Sequence, residues 1–150
     1  MKRRAWRIVK ERHAGTALDG EGARRYGGRW NSRGTRMVYT SATRSLAVLE
    51  TLVHLNPPVP FRFVAIPLEF EAGLVEEVGG LAGDWKDAPP SRSTQAVGDG
   101  WVREGRSVVL EVPSVLIPGE SNFLINPAHP DFGRIVVGKP EPFVLDPRLL

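Results

Sequence analysis

Residues 37–55, MVYTSATRSLAVLETLVHL, join a short β pattern to the clearest helical pattern in the chain. Met37–Thr40 predicts a strand, and the helix after it has Ser41 and Thr43 as alternative N-caps. This helix is predicted to run to about residue 55, where Pro57-Pro58 stops it. A strand leading directly into an amphipathic helix is therefore the best-defined unit of the fold.

Leucine and valine recur along this helix at steps of three and four residues, which is typical of a helix with one face on a core. The predicted core-facing residues are Leu46, Leu49, Leu52 and Val53. Glu50 lies four residues after Leu46, at the margin of this stripe. We therefore expect its carboxylate to lie near the core.

Other segments carry β patterns or turn signals. Gly15–Gly34 is rich in glycine and arginine and is predicted to be a functional loop, and Pro67 predicts a strand edge or a bulge. Strands on both sides of one strong helix, with no βαβ alternation and no Gly-x-Gly-x-x-Gly motif, predict a single α+β domain over residues 1–150. The predicted strands are Ala5–Val9, Phe61–Phe70, Ser107–Val112, Arg134–Val137 and Phe143–Leu145.

The composition is that of an ordinary globular protein, with 41% hydrophobic and 25% charged residues. There is no apolar run of membrane-spanning length and no secretory pattern after Met1–Lys10, so we expect a cytoplasmic protein without membrane association. The chain has no cysteine, which excludes disulfides and a thiol nucleophile. His13, His54 and His129 lack metal-ligand spacing, so no metal site is expected.

Charge is unevenly distributed. Residues 1–44 hold twelve Lys/Arg and three Asp/Glu, a net charge of +9, whereas residues 45–150 hold eight and fourteen, a net charge of −6. The first third thus favours anions, which include nucleic acid, phosphate-bearing small molecules and acidic proteins.

Several short motifs occur in a fixed order along the chain. They are Gly27-Gly28-Arg29-Trp30-Asn31, Tyr39-Thr40-Ser41, Leu46-Ala47-Val48-Leu49-Glu50, Val112-Pro113-Ser114 and the stretch from Asn122 to Pro130, with Thr94-Gln95, Gly98 and Trp101 between them. Each motif alone is weak, but together they resemble the RES domain family, which is named for an arginine, a glutamate and a serine. The resemblance spans nearly the whole chain.

This resemblance implies a fold related to ADP-ribosyltransferase toxins such as diphtheria toxin, and an NAD⁺-degrading toxin of a RES–Xre toxin–antitoxin system. It implies NAD⁺ as substrate, no bound cofactor, and inorganic phosphate as a candidate co-substrate. It also implies a hetero-oligomer with an Xre-type helix-turn-helix antitoxin, and the protein would contact DNA only through that antitoxin. The matching positions imply catalytic roles for Arg29, Tyr39 and Glu50 and substrate-binding roles for Ser114, Asn126, Gly28 and Ser41.

The chemistry of NAD⁺ cleavage suits these residue types. Nicotinamide leaves as a neutral group and the ribose becomes oxocarbenium-like, so a carboxylate such as Glu50 can stabilise it. Arg29 offers a planar fork of donors that matches phosphate oxygens. The simpler alternatives are a helix-surface glutamate and an arginine in a surface ion pair.

The remaining candidates also have structural alternatives. Tyr39 can stack on the cationic nicotinamide ring or can simply pack in a strand. Ser114 can bind a phosphate or ribose oxygen, or can form a turn or a helix cap. Asn126 precedes a proline, a pattern that most often begins a turn.

Three other functions stay open from the sequence. An ADP-ribosyltransferase acting on a protein target uses the same substrate. A module that only binds an antitoxin explains the charge asymmetry but not the inward glutamate. A basic RNA-binding or RNA-cleaving toxin is suggested by aromatic residues among arginines, namely Arg24, Arg25, Tyr26, Arg29, Trp30, Arg33 and Arg36.

Overall fold

The computed structural model describes residues 1–55 and 62–149. Strands and helices alternate irregularly along the chain, and short 3₁₀ helices occupy several connections. The elements in chain order are β1 Lys2–Lys10, α1 Glu21–Tyr26, β2 Val38–Ser41, α2 Arg44–Leu52, β3 Phe63–Glu71, β4 Val75–Glu77, α3 Arg92–Glu104, β5 Val109–Pro113, β6 Ser121–Ile125, β7 Val136–Val137 and β8 Glu141–Phe143.

All the strands belong to one sheet with the order β4-β5-β6-β2-β1-β3-β7, and β8 pairs with the other end of β3. The pairing of β1 with β3 runs without interruption from Lys2 opposite Glu71 to Lys10 opposite Phe63. β4 and β5 are parallel and are joined through α3, whereas the other pairs are antiparallel. The prediction of no βαβ unit is therefore wrong at this edge of the sheet, and the protein has a mixed α/β fold.

One face of the sheet encloses the largest core. Side chains from β3, β1, β2, β6 and β5 meet in a single cluster, although these strands lie side by side across the sheet. The sheet must therefore curl around this cluster. Its members include Ala5, Val38, Ile66, Phe70, Val109, Phe123 and Ile125.

The opposite face carries two separate cores. Near β1 and β3, α2 packs through Ala47 and Val48 on a cluster that includes Trp6. Near β5 and β6, Trp101 of α3 packs on a second cluster that includes Leu124. Between these two helix-covered regions the face consists of β2 and the beginning of β6, and there the sheet carries polar side chains.

The structure confirms Thr43 as the N-cap of α2, since its hydroxyl accepts a hydrogen bond from the Leu46 backbone N–H at 3.1 Å. The predicted core stripe is only partly right. Leu46 is buried, but α2 ends at Leu52, and Val53 beyond it is 56% exposed. Instead, Ala47 and Val48 face the sheet.

α3 is absent from the sequence-based prediction of one strong helix, and Gly15–Gly34 is not a plain loop because it contains α1. Pro67 lies in an interior strand without a bulge, opposite Trp6 of β1, and on its other side its carbonyl accepts from the Gly138 backbone N–H at 2.8 Å. Phe61 and the Pro57-Pro58 stop lie outside the described residues. Within residues 1–55 and 62–149, no helix has both the length and the apolar content needed to cross a membrane.

Candidate active site

Glu50 lies in the last turn of α2, half-buried, with its carboxylate directed to the ends of β5 and β6. The Ser114 hydroxyl donates a hydrogen bond to Oε1 at 3.0 Å, and the Asn122 amide donates to the same oxygen at 2.9 Å. Within the described part of the chain Oε2 has no hydrogen-bond partner. The carboxylate is thus held through one oxygen and available through the other.

Asn122 is held in turn by Ser41, whose hydroxyl donates to its Oδ1 at 2.7 Å. The two residues are directly opposite each other in the pairing of β2 with β6. Ser41 is 3% exposed, so this bond is shielded from water. We call Ser41, Glu50, Ser114 and Asn122 the Glu50 cluster.

Ser114 follows the end of β5 and forms a turn with the residues after it. Its hydroxyl oxygen accepts from the backbone N–H groups of Leu116 at 3.1 Å and Ile117 at 3.2 Å, and its proton goes to Glu50. The turn predicted as its structural alternative is confirmed. Because its proton and its oxygen are both engaged in these hydrogen bonds, the Ser114 hydroxyl orients the Glu50 carboxylate in this structure.

Tyr39 lies two residues before Ser41 on the same face of β2, roughly 7 Å away along the strand. Its hydroxyl donates to Asn31 Oδ1 at 2.5 Å and accepts from the Trp30 backbone N–H at 3.1 Å. A Cβ at Gly28 would lie 2.6 Å from this hydroxyl oxygen, so a glycine is needed there. Burial raises the pKa of the Tyr39 phenol far above its ordinary value, which keeps the group neutral.

The segment of residues 27–31, which we call the GGRWN segment, is fixed from both sides. The buried amide of Asn31 donates to the carbonyls of Ala23, Ser32 and Thr35 at 2.7 to 3.1 Å. From α3, the Gln95 amide donates to the Gly28 carbonyl at 3.0 Å. The helix can come this close because it has no side chain at Gly98, where a Cβ would lie 1.7 Å from the Trp30 carbonyl oxygen.

Arg29 is half-buried and directed toward the connection between β4 and α3. Its Nη1 donates to the carbonyls of Trp85 at 3.0 Å and Asp87 at 2.8 Å. Within residues 1–55 and 62–149 its Nε and Nη2 make no hydrogen bond. The guanidinium therefore fixes this connection through Nη1, and its Nε and Nη2 donors can still bind an anion.

Asn126 does not join the Glu50 cluster. It follows β6, and its Oδ1 accepts from the Ala128 backbone N–H at 3.0 Å, so the predicted turn is confirmed. The structure brings Glu50, Ser114 and Ser41 together. Gly28 lies against the hydroxyl of Tyr39, which precedes Ser41 by two residues on the same face of β2, and Arg29 is directed to the connection before α3. Their roles toward a substrate stay predictions.

Sequence reasoning missed Asn122 as a site residue, although the residue begins one of the quoted motifs. The signal that locates it is the register of β6 against β2. β6 was not among the predicted strands, so this pairing with Ser41 was not accessible.

Part of the basic first third is neutralised internally. Arg24 and Arg36 both pair with Glu21 at 2.9 Å, and the hydrogen bond from Arg24 lowers the pKa of that carboxyl. Arg7 is half-buried and turned inward, where it donates to the carbonyls of Ala17 and Tyr39, and desolvation lowers the pKa of its guanidinium. The surface that favours anions is thus smaller than the sequence count suggests.

Comparison with known proteins identifies the family of this chain. A model of the RES domain matches residues 4–146. The "Prs ADP-ribosylating toxin" of Sphingobium sp. (strain YBL2) is 40% identical, covering 97% of this chain and 95% of the relative. "Toxin Res" of Yersinia enterocolitica is 35% identical, covering 96% and 97%.

Among solved structures, the Mycobacterium tuberculosis MbcT–MbcA toxin–antitoxin complex contains a similar chain. The TM-score is 0.70 at 19% identity, over 96% of this chain and 85% of that one. This likeness shows a shared fold. On the family match and the identities above, the chain belongs to the RES domain family.

Proposed function

We propose that this chain is the toxin of a toxin–antitoxin system and that it destroys NAD⁺ by cleaving the nicotinamide–ribose bond. The observation that carries the proposal is the Glu50 carboxylate, which is held through Oε1 by two donors and, among residues 1–55 and 62–149, has no partner at Oε2. The proposal extends to a single domain with an ADP-ribosyltransferase-like fold.

In the proposed reaction the bond between ribose C1′ and the nicotinamide nitrogen breaks, and its electron pair neutralises the pyridinium ring. The positive charge moves to the ribose as an oxocarbenium-like centre. Glu50 Oε2 would stabilise that charge and accept a hydrogen bond from a ribose hydroxyl. A partly dehydrated carboxylate is effective here because the low local dielectric strengthens the attraction.

The neighbouring residues have matching proposed roles. Nε and Nη2 of Arg29, which have no partner in the part of the chain that the structure describes, would bind a phosphate of the dinucleotide or inorganic phosphate. The ring of Tyr39 would pack against nicotinamide, while its neutral hydroxyl, already bonded on both sides, would take no part in proton transfer. Ser41 and Ser114 would act mainly through Glu50 and not through substrate.

An oxygen nucleophile then attacks C1′. Inorganic phosphate gives ADP-ribose 1″-phosphate, whereas water gives ADP-ribose after losing a proton. The positive charge around Arg29 favours phosphate to a small extent.

The test is to incubate the purified chain, free of partner, with NAD⁺ in buffers with and without inorganic phosphate, and to resolve the products by mass. We expect nicotinamide release, and phosphate dependence would identify the nucleophile. Stable NAD⁺ in both buffers, with a folded protein, would contradict the proposal.

Transfer of ADP-ribose to a protein is the second candidate, favoured by the name of the 40% identical relative, an ADP-ribosylating toxin. The same oxocarbenium-like centre would be captured by a protein side chain. An intact-mass increase of a target protein in a lysate supplied with NAD⁺ distinguishes this route from release of free product.

We also propose that an Xre-type antitoxin binds this chain and covers the NAD⁺ site. Support comes from the toxin–antitoxin complex that contains a chain of the same fold. A purified complex that consumes NAD⁺ as fast as the free chain would contradict this regulation.

A further inference from the structure

We infer that Asn122 is a positioning residue that determines which oxygen of Glu50 meets the substrate, and that Ser41 fixes the Asn122 amide for this task. The inference rests on the proposed function, since it concerns the same carboxylate. It names two residues that act through Glu50 and do not themselves touch the reacting atoms.

The direction of each hydrogen bond follows from the chemistry of the groups. An ionised carboxylate only accepts, so the side of the Asn122 amide that faces Glu50 must be its NH₂ group. The amide oxygen then faces Ser41, whose hydroxyl donates to it at 2.7 Å. The hydrogen bonds thus run in one direction, from the Ser41 hydroxyl to the Asn122 amide oxygen and from the Asn122 NH₂ group to Glu50, which is the final acceptor.

Both Asn122 and Ser114 donate to Oε1, at 2.9 and 3.0 Å. Two donors on one oxygen fix the rotation of the carboxylate and leave Oε2 facing away from them. Without the amide, Ser114 alone would leave the carboxylate free to rotate about its terminal bond, which has a broad torsional preference. Asn122 therefore supplies the second constraint that makes one orientation unique.

The backbone around Asn122 is suited to this role. Asn122 pairs with Ser41 on β2 and with Val112 on β5, so it has strands on both sides. Ser41 pairs in turn with Trp6 on β1, on whose cluster α2 packs. The amide is therefore fixed to the sheet, and it links the sheet to the helix that carries Glu50.

The experiment compares Asn122→Asp, Asn122→Ala and Ser41→Ala with the unaltered chain, measuring kcat for nicotinamide release and the dissociation constant for NAD⁺. Asn122→Ala removes the donor to Glu50 without adding charge, whereas Asn122→Asp keeps the size and the acceptor for Ser41 but also places a second carboxylate against Glu50. We expect kcat to fall by about 10²-fold in Asn122→Ala, as for a misplaced catalytic group, while NAD⁺ affinity changes much less. Asn122→Asp should lose at least as much, because like charge is added to the lost donor. Ser41→Ala should show the same split with a smaller loss.

A matched control is Thr40→Val, on the opposite face of β2, which removes the hydrogen bond from the Thr40 hydroxyl to the Phe123 carbonyl at 2.7 Å. It should lower the melting temperature and leave kcat unchanged. The control thus distinguishes the effect of weaker pairing between β2 and β6, which lowers stability, from the effect of a displaced Glu50 carboxylate, which lowers kcat.

A double-mutant cycle with Glu50→Gln gives the decisive readout. If Asn122 acts through Glu50, Asn122→Ala should cost nearly nothing further in the Glu50→Gln background. Full additivity, or unaltered kcat in folded Asn122 variants of an active enzyme, would overturn the inference alone. An unaltered chain that releases no nicotinamide would overturn the proposed function and this inference with it.

Discussion

The Glu50 cluster meets β2 at Ser41 and the GGRWN segment meets it at Tyr39, yet the two use their polar side chains differently. In the Glu50 cluster side chains bond to one another, and one carboxylate oxygen has no partner among the described residues. In the GGRWN segment Asn31 and Arg29 bond mainly to backbone carbonyls. Motifs of similar prominence thus differ in structure: the Glu50 cluster presents a carboxylate oxygen, whereas the GGRWN segment fixes the neighbouring backbone and α3.

The largest expected effect is on activity, at Glu50. Glu50→Gln keeps the size and an oxygen that can accept from Ser114 and Asn122, but removes the charge. We expect kcat for nicotinamide release to fall by about 10³-fold, roughly 4 kcal/mol, with little change in unfolding free energy.

The matched control is Glu11→Gln, at an exposed position away from the cluster, which should behave as the unaltered chain. If Glu50→Gln instead unfolds the protein, Glu50 is structural and the comparison between the two regions fails.

The next effect is on stability, where α3 meets the GGRWN segment. Gly98→Ala would force its Cβ against the Trp30 carbonyl, and we expect a loss of about 3 kcal/mol or more in the free energy of unfolding. Gly100→Ala, in the same helix, meets only the end of the Arg103 side chain at 3.5 Å. It should stabilise the protein by about 0.5–1 kcal/mol through helix propensity.

Denaturant unfolding measures both variants. Equal effects at the two glycines would show that α3 does not rest on the segment as described.

A smaller effect is expected at Tyr39. Tyr39→Phe leaves Asn31 Oδ1 and the Trp30 N–H without their shared partner, which should cost about 1–3 kcal/mol of stability. Because the ring is retained, the loss in the free energy of unfolding should exceed the increase in activation free energy for nicotinamide release. A fall in kcat with unchanged stability would instead show that the hydroxyl takes part in the reaction.

The smallest effect is the pH dependence of stability that the Tyr39 phenol causes, which is negligible at neutral pH and develops above about pH 10. An unfolded tyrosine ionises near pH 10, whereas burial raises the pKa of Tyr39 in the folded protein. The folded state then holds more protons above about pH 10, so its stability declines as pH rises through that range. Urea unfolding between pH 8 and 11 should show a steeper decline for the unaltered chain than for Tyr39→Phe, and equal slopes would refute the buried phenol.

The sequence alone predicted those helices and strands whose signals lie in neighbouring residues. The amphipathic pattern and Thr43 located α2, and alternation located most of β1 and β5. α3 was missed because Gly98 and Gly100 lower its helix propensity, and the need for glycine there comes from contact with Trp30, which no local pattern reports.

The site divides in the same way. The motifs indicated Glu50, Ser114 and Ser41, but their joining by Asn122 depends on the register of β6, which is a property of the folded sheet. The contacts of Arg29 with the Trp85 and Asp87 carbonyls depend on a tertiary approach across more than fifty residues.

We propose that NAD⁺ binds on the face of β2 between α2 and α3 with its nicotinamide ribose at Glu50. The decisive measurement is a crystal structure of the Glu50→Gln variant with NAD⁺. We expect a ribose hydroxyl within hydrogen-bond distance of the side-chain atom that replaces Oε2, and a phosphate at Arg29. NAD⁺ bound elsewhere on the molecule, or with its adenine end at residue 50, would contradict it.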